Sequence, residues 1–174
     1  MPIQSVCVAG LLIVFGTTAQ GIGLYPDHAE RGTLSFSCNT GYSQNVCDAQ
    51  VAHLQEALAK FDLGGLGEWT FVLVRSDDWY RILRRVGRDP DSPAFTILEK
   101  RQTFLEEALF RPTPGRSRTL LEKWRVPLDQ LLDLAVTHEL AHALCRERDE
   151  GRTHAYADQL SRSGQVACVE NTGK

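Results

Sequence analysis

Two histidines and a glutamate in one short segment have the most definite chemistry of this chain. The segment is His138-Glu139-Leu140-Ala141-His142. Two histidines four positions apart lie one above the other on a helix, so both imidazoles can bind one metal ion. Glu139 can then take a proton from a water molecule at that ion. The spacing predicts a Zn2+ site with His138 and His142 as ligands and Glu139 as the catalytic base.

The flanking residues predict that this segment lies on a buried helix. Leu128, Leu131, Leu132 and Ala135 form an apolar stripe, and the same spacing continued along the chain reaches the histidines and the glutamate. The immediate neighbours of the motif are uncharged, which is unusual for a solvated helix. The alternative is a metal-free polar trio whose members bind one another, but a buried trio would need other partners.

The segment resembles the His-Glu-x-x-His motif of the zincin metallopeptidases and, among them, the gluzincins. In gluzincins a later helix supplies a glutamate ligand in a Glu-x-x-Ala-Asp pattern. This chain has His154-Ala155-Tyr156-Ala157-Asp158, which matches the Ala-Asp half and has histidine at the ligand position. The resemblance implies that His154 is the third ligand and that Asp158 orients a metal-bound histidine. In the alternative, Asp158 is the ligand and His154 lies near the developing oxyanion.

The residues between the motif and His154 predict a turn. The acidic residues Glu147, Asp149 and Glu150 are further ligand candidates but are interpreted as a solvated turn, with Thr153 capping the next helix. Tyr156 is a candidate donor to the transition state, although a tyrosine on a short helix more often packs in the core.

The resemblance, which covers residues 128–163, also implies a fold. It predicts a small α+β domain in which the central helix with the motif packs under a short β-sheet. An edge strand over the site would bind a peptide or protein substrate in extended form. The candidate is Phe95–Leu105, either one long strand or a hairpin that turns at the charged residues Glu99-Lys100-Arg101.

Hydrophobic periodicity predicts the other elements. Apolar residues at helical spacing run from Val51 to Phe61, and Trp69–Val74 is typical of a buried strand. A second helical stripe ends at Gly87. Thr119 and Glu122 are spaced as a capping box for a short helix.

The N-terminus and the cysteines indicate an oxidising compartment. Residues 1–19 are typical of a signal peptide, because an uncharged start contains an apolar run of ten residues, too short to span a bilayer, followed by small residues. Residues 20–174 are then a single domain. They contain Cys38, Cys47, Cys145 and Cys168, which allow three pairings; the short polar stretch between Cys38 and Cys47 favours a local bond, which leaves Cys145 to pair with Cys168.

Charge limits the partners. The chain has 174 residues, a net charge of −3 and a pI of about 5.9, without the basic excess of a nucleic-acid binder. We therefore expect a secreted or periplasmic zinc metallopeptidase with a peptide or protein substrate, no nucleic-acid partner and no stable membrane anchor. The alternative is a secreted, disulfide-bonded zinc-binding protein without catalytic turnover.

Overall fold

The computed structural model describes residues 33–169, so the predicted signal peptide lies outside the described residues. Within this range, five α-helices and four strands form an α+β domain, which confirms the predicted fold class. The elements in chain order are β1 (Leu34–Cys38), α1 (Gln44–Leu58), β2 (Trp69–Val74), α2 (Ser76–Val86), β3 (Ala94–Ile97), β4 (Gln102–Glu106), α3 (Pro114–Trp124), α4 (Leu128–Cys145) and α5 (Glu150–Ser163).

The four strands form one sheet in the order β1-β2-β4-β3. β1, β2 and β4 are parallel, whereas β3 is antiparallel to β4 and lies at an edge. The segment 95–105 is therefore the predicted hairpin rather than one long strand, with a 3-10 turn at Leu98–Lys100. Of its two strands, only the first, β3, lies at an edge of the sheet.

The two faces of the sheet are covered by different helices. On one face, Trp69, Phe71 and Leu105 join the main core, to which the central helix α4 contributes Leu131 and Leu140. On the other face, a smaller cluster joins Val74 and Phe95 of the sheet to Trp79 and Leu83 of α2. Because side chains alternate along a strand, residues of odd and even number on β2 point to opposite helices.

Two helices begin earlier than the sequence signals indicated. Thr119 is not a cap, since α3 already begins at Pro114, where the fixed φ of proline favours a first helical turn. Thr153 is inside α5; Asp149 is the N-cap, and its side chain accepts a hydrogen bond from the backbone N–H of Arg152.

Both predicted disulfides are present. Cys38 pairs with Cys47 and Cys145 with Cys168, at Cα–Cα distances of 6.0 and 5.1 Å. The first bond ties β1 to α1, and the second holds the C-terminal segment against the end of α4. Such bonds are typical of proteins from oxidising compartments. No helix within residues 33–169 is long and apolar enough to cross a membrane.

We expect the double substitution Cys145→Ser and Cys168→Ser to lower the free energy of unfolding by about 3 kcal/mol, because the bond closes a long loop in the unfolded chain. The loop spans 23 residues, against 9 for Cys38–Cys47, so removing the shorter bond should cost slightly less. Chemical denaturation without reductant measures both losses. An unchanged unfolding midpoint in the first variant would contradict the prediction.

Candidate metal centre and cleft

His138 and His142 lie one turn apart on α4 and point towards the same place. Their Nε2 atoms are 3.2 Å apart, and their side chains are 15% and 12% exposed. The Nδ1 of His142 lies 2.7 Å from the backbone carbonyl oxygen of Glu147. A carbonyl oxygen only accepts, so Nδ1 holds the proton and the Nε2 of a neutral His142 offers its lone pair to the site.

Glu150, at the start of α5, completes a group of three ligand atoms. Its Oε2 lies 3.2 Å from Nε2 of His138 and 3.6 Å from Nε2 of His142. Two ligand atoms of a tetrahedral zinc ion with bonds of about 2.0–2.2 Å lie about 3.3–3.6 Å apart. The spacing among these three atoms is therefore close to that of three corners of a zinc tetrahedron.

The chemistry of the three donors also fits zinc. Burial, together with the neighbouring His142, lowers the pKa of His138 to about 4, so this imidazole is neutral at physiological pH. The Nε2 atoms of the two imidazoles and a carboxyl oxygen of Glu150 then bring three potential lone-pair donors together. Such a cluster of acceptors is favourable when a cation lies between them, and zinc binds this combination of nitrogen and oxygen ligands.

The turn between α4 and α5 is held by hydrogen bonds to Glu147. The prediction of a solvated turn is wrong for this residue, because its carboxylate is buried. The carboxylate accepts hydrogen bonds from Arg152 and from the backbone N–H groups of Asp149 and Arg148, and these contacts lower the pKa of Glu147 to about 2. The backbone of the same residue holds His142. The turn therefore orients His142, a candidate ligand, and places Glu150 beside it.

His154 and Asp158 both line the cleft that contains the motif. The His154 ring lies 4.9 Å from the His138 ring, centroid to centroid. Among the described residues, however, the group with ligand atoms within 4.8 Å of one another is His138, His142 and Glu150. The ligand roles of His154 and Asp158 therefore stay predictions. Glu150, whose side chain is 60% exposed, is one of the further acidic candidates that the sequence predicts to lie in a solvated turn.

Tyr156 is in the core. Its side chain is buried among the main cluster, and its hydroxyl accepts a hydrogen bond from the backbone N–H of Val169 at 3.2 Å. Its contacts are those of a packing residue that also anchors the C-terminal segment. We therefore leave Tyr156 out of the proposed site.

Glu139 lies on the side of α4 that faces the sheet, and it is 6% exposed. Burial raises the pKa of its carboxyl to about 7, and the charge of Glu150 adds to this rise, while the nearby Thr96 and the charge of Arg88 oppose it. Its Oε2 is buried and has no hydrogen-bond partner among the described residues. A carboxyl with a pKa near neutrality and one free oxygen suits proton transfer.

A cleft of about 730 Å³ is lined by Glu139 and by the candidate ligands His138, His142, Glu150, His154 and Asp158. This volume is within the usual range for ligand sites. Its lining includes the apolar side chains of Val86, Trp124 and Leu134 as well as the candidate metal ligands. Arg88, an exposed residue just after α2, also lines the cleft, and its guanidinium donates to the backbone carbonyl of Thr96 at 3.4 Å.

The edge strand β3 presents to this cleft backbone groups that are not paired with β4, of which the Thr96 carbonyl accepts from Arg88. Glu106 N–H donates to Pro93 O, so with the observed register the hydrogen-bonded pairs of the hairpin are 93/106, 95/104 and 97/102. The N–H and C=O groups of Ala94 and Thr96 therefore point away from β4. Both residues line the cleft.

Comparison with protein-family models, with curated proteins and with solved structures finds no match to this chain.

Proposed function

We propose that this chain is a secreted zinc-dependent metallopeptidase that hydrolyses peptide bonds. One observation carries the proposal: the Nε2 atoms of His138 and His142 and an Oε of Glu150 converge in a cleft, beside the buried Glu139. Histidine and carboxylate ligands with an open position are characteristic of catalytic rather than structural zinc. The proposed ligands are His138, His142 and Glu150.

Three side chains of the cleft have separate roles in the proposed reaction. When bound, zinc polarises a carbonyl group and acidifies water. Glu139 takes the proton of the attacking water and delivers it to the leaving amine, for which a pKa near 7 is suited. With Glu150 as a ligand, His154 is free to donate a hydrogen bond to the oxygen of the attacked carbonyl. Arg88 supplies a further donor to the substrate backbone.

The substrate binds as an added strand. An extended peptide can pair with the backbone groups of Ala94 and Thr96 that point away from β4, since β3 is at the edge of the sheet. Such pairing places the peptide along the cleft, between the edge strand and α4. Backbone pairing contributes affinity without sequence preference, so side-chain preference comes from apolar residues of the cleft lining such as Trp124 and Leu134. Arg88 must release the Thr96 carbonyl when the peptide binds.

The compartment follows from the same proposal. Two disulfides are consistent with export to an oxidising environment. We propose that residues 1–19 are removed as a signal peptide and that residues 20–174 are the mature enzyme.

The experiment that tests the function measures metal content and hydrolysis together. We expect residues 20–174, produced with both disulfides formed, to contain about one zinc per chain and to cleave members of a fluorogenic peptide library. A chelator should abolish cleavage, and added zinc should restore it. A chain that takes up no divalent metal would sink the proposal, and a zinc-loaded chain that cleaves no peptide would support the zinc-binding alternative.

The alternative function, zinc binding without turnover, rests on the position of His154. If its ring, 4.9 Å from that of His138, supplies a fourth ligand together with Glu150, the coordination shell is closed and the metal is structural. The two functions predict different effects of replacing Glu139, because a peptidase needs this residue for turnover whereas a structural metal site does not need it to bind zinc.

A further inference from the structure

The disulfide Cys145–Cys168 closes a loop that contains every candidate ligand outside α4. Cys145 is the last residue of α4, three positions after His142, and Cys168 follows α5. Between the two cysteines lie Glu150, His154 and Asp158. The bond therefore encloses the whole segment that brings further ligands to the two histidines of α4.

The beginning of this loop also supports His142. The backbone carbonyl oxygen of Glu147 lies 2.7 Å from Nδ1 of His142. The Oγ1 of Thr153, near the start of α5, lies 3.2 Å from the same nitrogen, and Thr153 is 0% exposed. The position of α5 therefore affects two candidate ligands, because this helix places Glu150 and contacts the ring of His142.

The C-terminal segment returns along α5 after a reversal at Gly164. This glycine has a φ of +71°, a conformation that residues with a side chain rarely adopt. The backbone N–H of Ala167 then donates to Oε1 of Gln159 at 3.4 Å. The backbone N–H of Val169 donates to the hydroxyl of Tyr156 at 3.2 Å. The segment is thus attached to the middle of α5, and the disulfide joins it to the end of α4.

Two attachments fix the tilt of α5 against α4. The turn at residues 146–149 joins the end of α4 to the start of α5, and a helix held only there can pivot about the turn. The C-terminal segment and its disulfide add a second link, from the middle of α5 back to Cys145. Because Tyr156 and Leu160 are buried in the main core, α5 should remain packed without this link. Loss of the link should therefore shift the ligands rather than unfold the helix.

We propose that the Cys145–Cys168 disulfide is coupled to the metal centre: it fixes α5 against α4 and so raises the affinity for zinc, and bound zinc in turn stabilises the disulfide. The proposal rests on the metal centre of the proposed function. Coupling between two events in a protein is reciprocal, so the bond and the metal favour each other by the same factor. The chain then holds zinc tightly where the bond is formed and releases it more readily where thiols reduce the bond.

The exposure of Cys168 makes the bond accessible to reducing thiols. Cys168 is exposed, whereas Cys38 and Cys47 are both partly buried. A glutathione thiolate can attack the sulfur of Cys168, with the Cys145 thiolate as the leaving group. A second glutathione then resolves the mixed disulfide, so that two protein thiols and one glutathione disulfide are formed.

The competing explanation is that the bond acts only on the unfolded chain. A disulfide stabilises a protein mainly because it restricts the unfolded ensemble. In that case the folded protein binds zinc equally well with and without the bond. The two explanations therefore differ in the zinc affinity of the folded protein, and not in its free energy of unfolding.

The first experiment measures the zinc dissociation constant of residues 20–174 by competition with a chromophoric chelator. We expect Kd to rise about tenfold to a hundredfold in Cys145→Ser/Cys168→Ser, the range found when groups that orient metal ligands are removed. Cys38→Ser/Cys47→Ser is the matched control, because its bond joins β1 to α1 and encloses no candidate ligand. Circular dichroism checks that both variants are folded. A Kd that is the same in the wild type and the first variant, or that rises equally in both variants, would overturn the proposal.

A second experiment uses the wild type and does not depend on the folding of a variant. The protein is equilibrated in glutathione buffers at a fixed concentration of free zinc, and alkylation with mass spectrometry measures the reduced fraction of Cys145–Cys168. Saturating zinc should lower the reduction potential of this bond by about 30 mV for each tenfold difference in Kd between the two forms. Cys38–Cys47 is the internal control and should not shift. An unchanged or higher potential of Cys145–Cys168 would contradict the coupling.

The outcomes separate this proposal from the proposed function. A wild type that binds zinc with the expected dependence on the disulfide but cleaves no peptide would refute the peptidase and support the coupling. A chain that cleaves peptides, and whose zinc affinity does not depend on the bond, would overturn the coupling alone. A wild type that binds no zinc would overturn both.

Discussion

Replacing Glu139 by glutamine should reduce kcat for peptide hydrolysis by about 10²–10⁴-fold and leave zinc content unchanged. The amide keeps the size of the side chain but cannot accept the proton of the attacking water. Because Glu139 does not belong to the group of three candidate ligands, its replacement should leave zinc binding unchanged. The measurement is kcat and bound zinc on the same preparation, with Glu122→Gln on the exposed face of α3 as the control.

The stability of this variant gives an independent check. The folded-state pKa of Glu139, about 7, is above the ordinary value of 4.5, so the protonated form favours folding. In the metal-free protein this contribution is present at low pH and is lost as the pH rises through about 7. Glutamine resembles the protonated form, so at pH 8 the variant should unfold at a temperature no lower than the wild type. A variant that loses zinc or unfolds early would not test catalysis, and one that keeps full turnover would exclude Glu139 as the base.

Sequence reasoning could predict those parts of the molecule that depend on local periodicity. The apolar stripe of α4 and the alternation of β2 each reflect one buried face, and both elements are where the sequence placed them. The cysteine pairing was predictable because a short polar loop brings Cys38 and Cys47 together. β1 was missed, although Leu34, Phe36 and Cys38 alternate with two serines, a period of two that is typical of a strand with one buried face.

The rest of the site depends on contacts that are distant in the chain or have no local pattern. Glu147 lies in a segment whose composition is typical of a solvated turn. Its burial is favourable because two backbone N–H groups and Arg152 bind its carboxylate. Thr96 and Thr103 are ordinary strand residues in the sequence. The contact between their hydroxyl oxygens, at 2.8 Å, follows from the hairpin register, which periodicity does not specify.

Replacing either histidine of the motif by alanine should reduce bound zinc from about one per chain to a trace, and activity should be lost with it. Both Nε2 atoms belong to the ligand group, and removing one leaves two ligands that cannot hold the ion against competing water. Metal analysis after dialysis measures the loss, and circular dichroism shows whether the fold is kept. His53→Ala is the control, because this histidine lies on α1 against Phe110. Zinc retained by both His138→Ala and His142→Ala would place the metal elsewhere.

The identity of the third ligand distinguishes the peptidase from the non-catalytic zinc-binding protein, and the same zinc and activity measurements determine it. We expect Glu150→Gln to lose most of the zinc, because its Oε2 lies 3.2 and 3.6 Å from the two Nε2 atoms, whereas His154→Asn should keep the metal and lower kcat. The opposite pattern would make His154 the ligand, as the gluzincin resemblance implies, and would leave the proposed enzyme intact. If each single variant keeps part of the zinc and only the double variant loses it, both side chains bind the ion. Two histidines of the motif with two further ligands would then close the coordination shell, and a closed shell favours a structural metal over a peptidase.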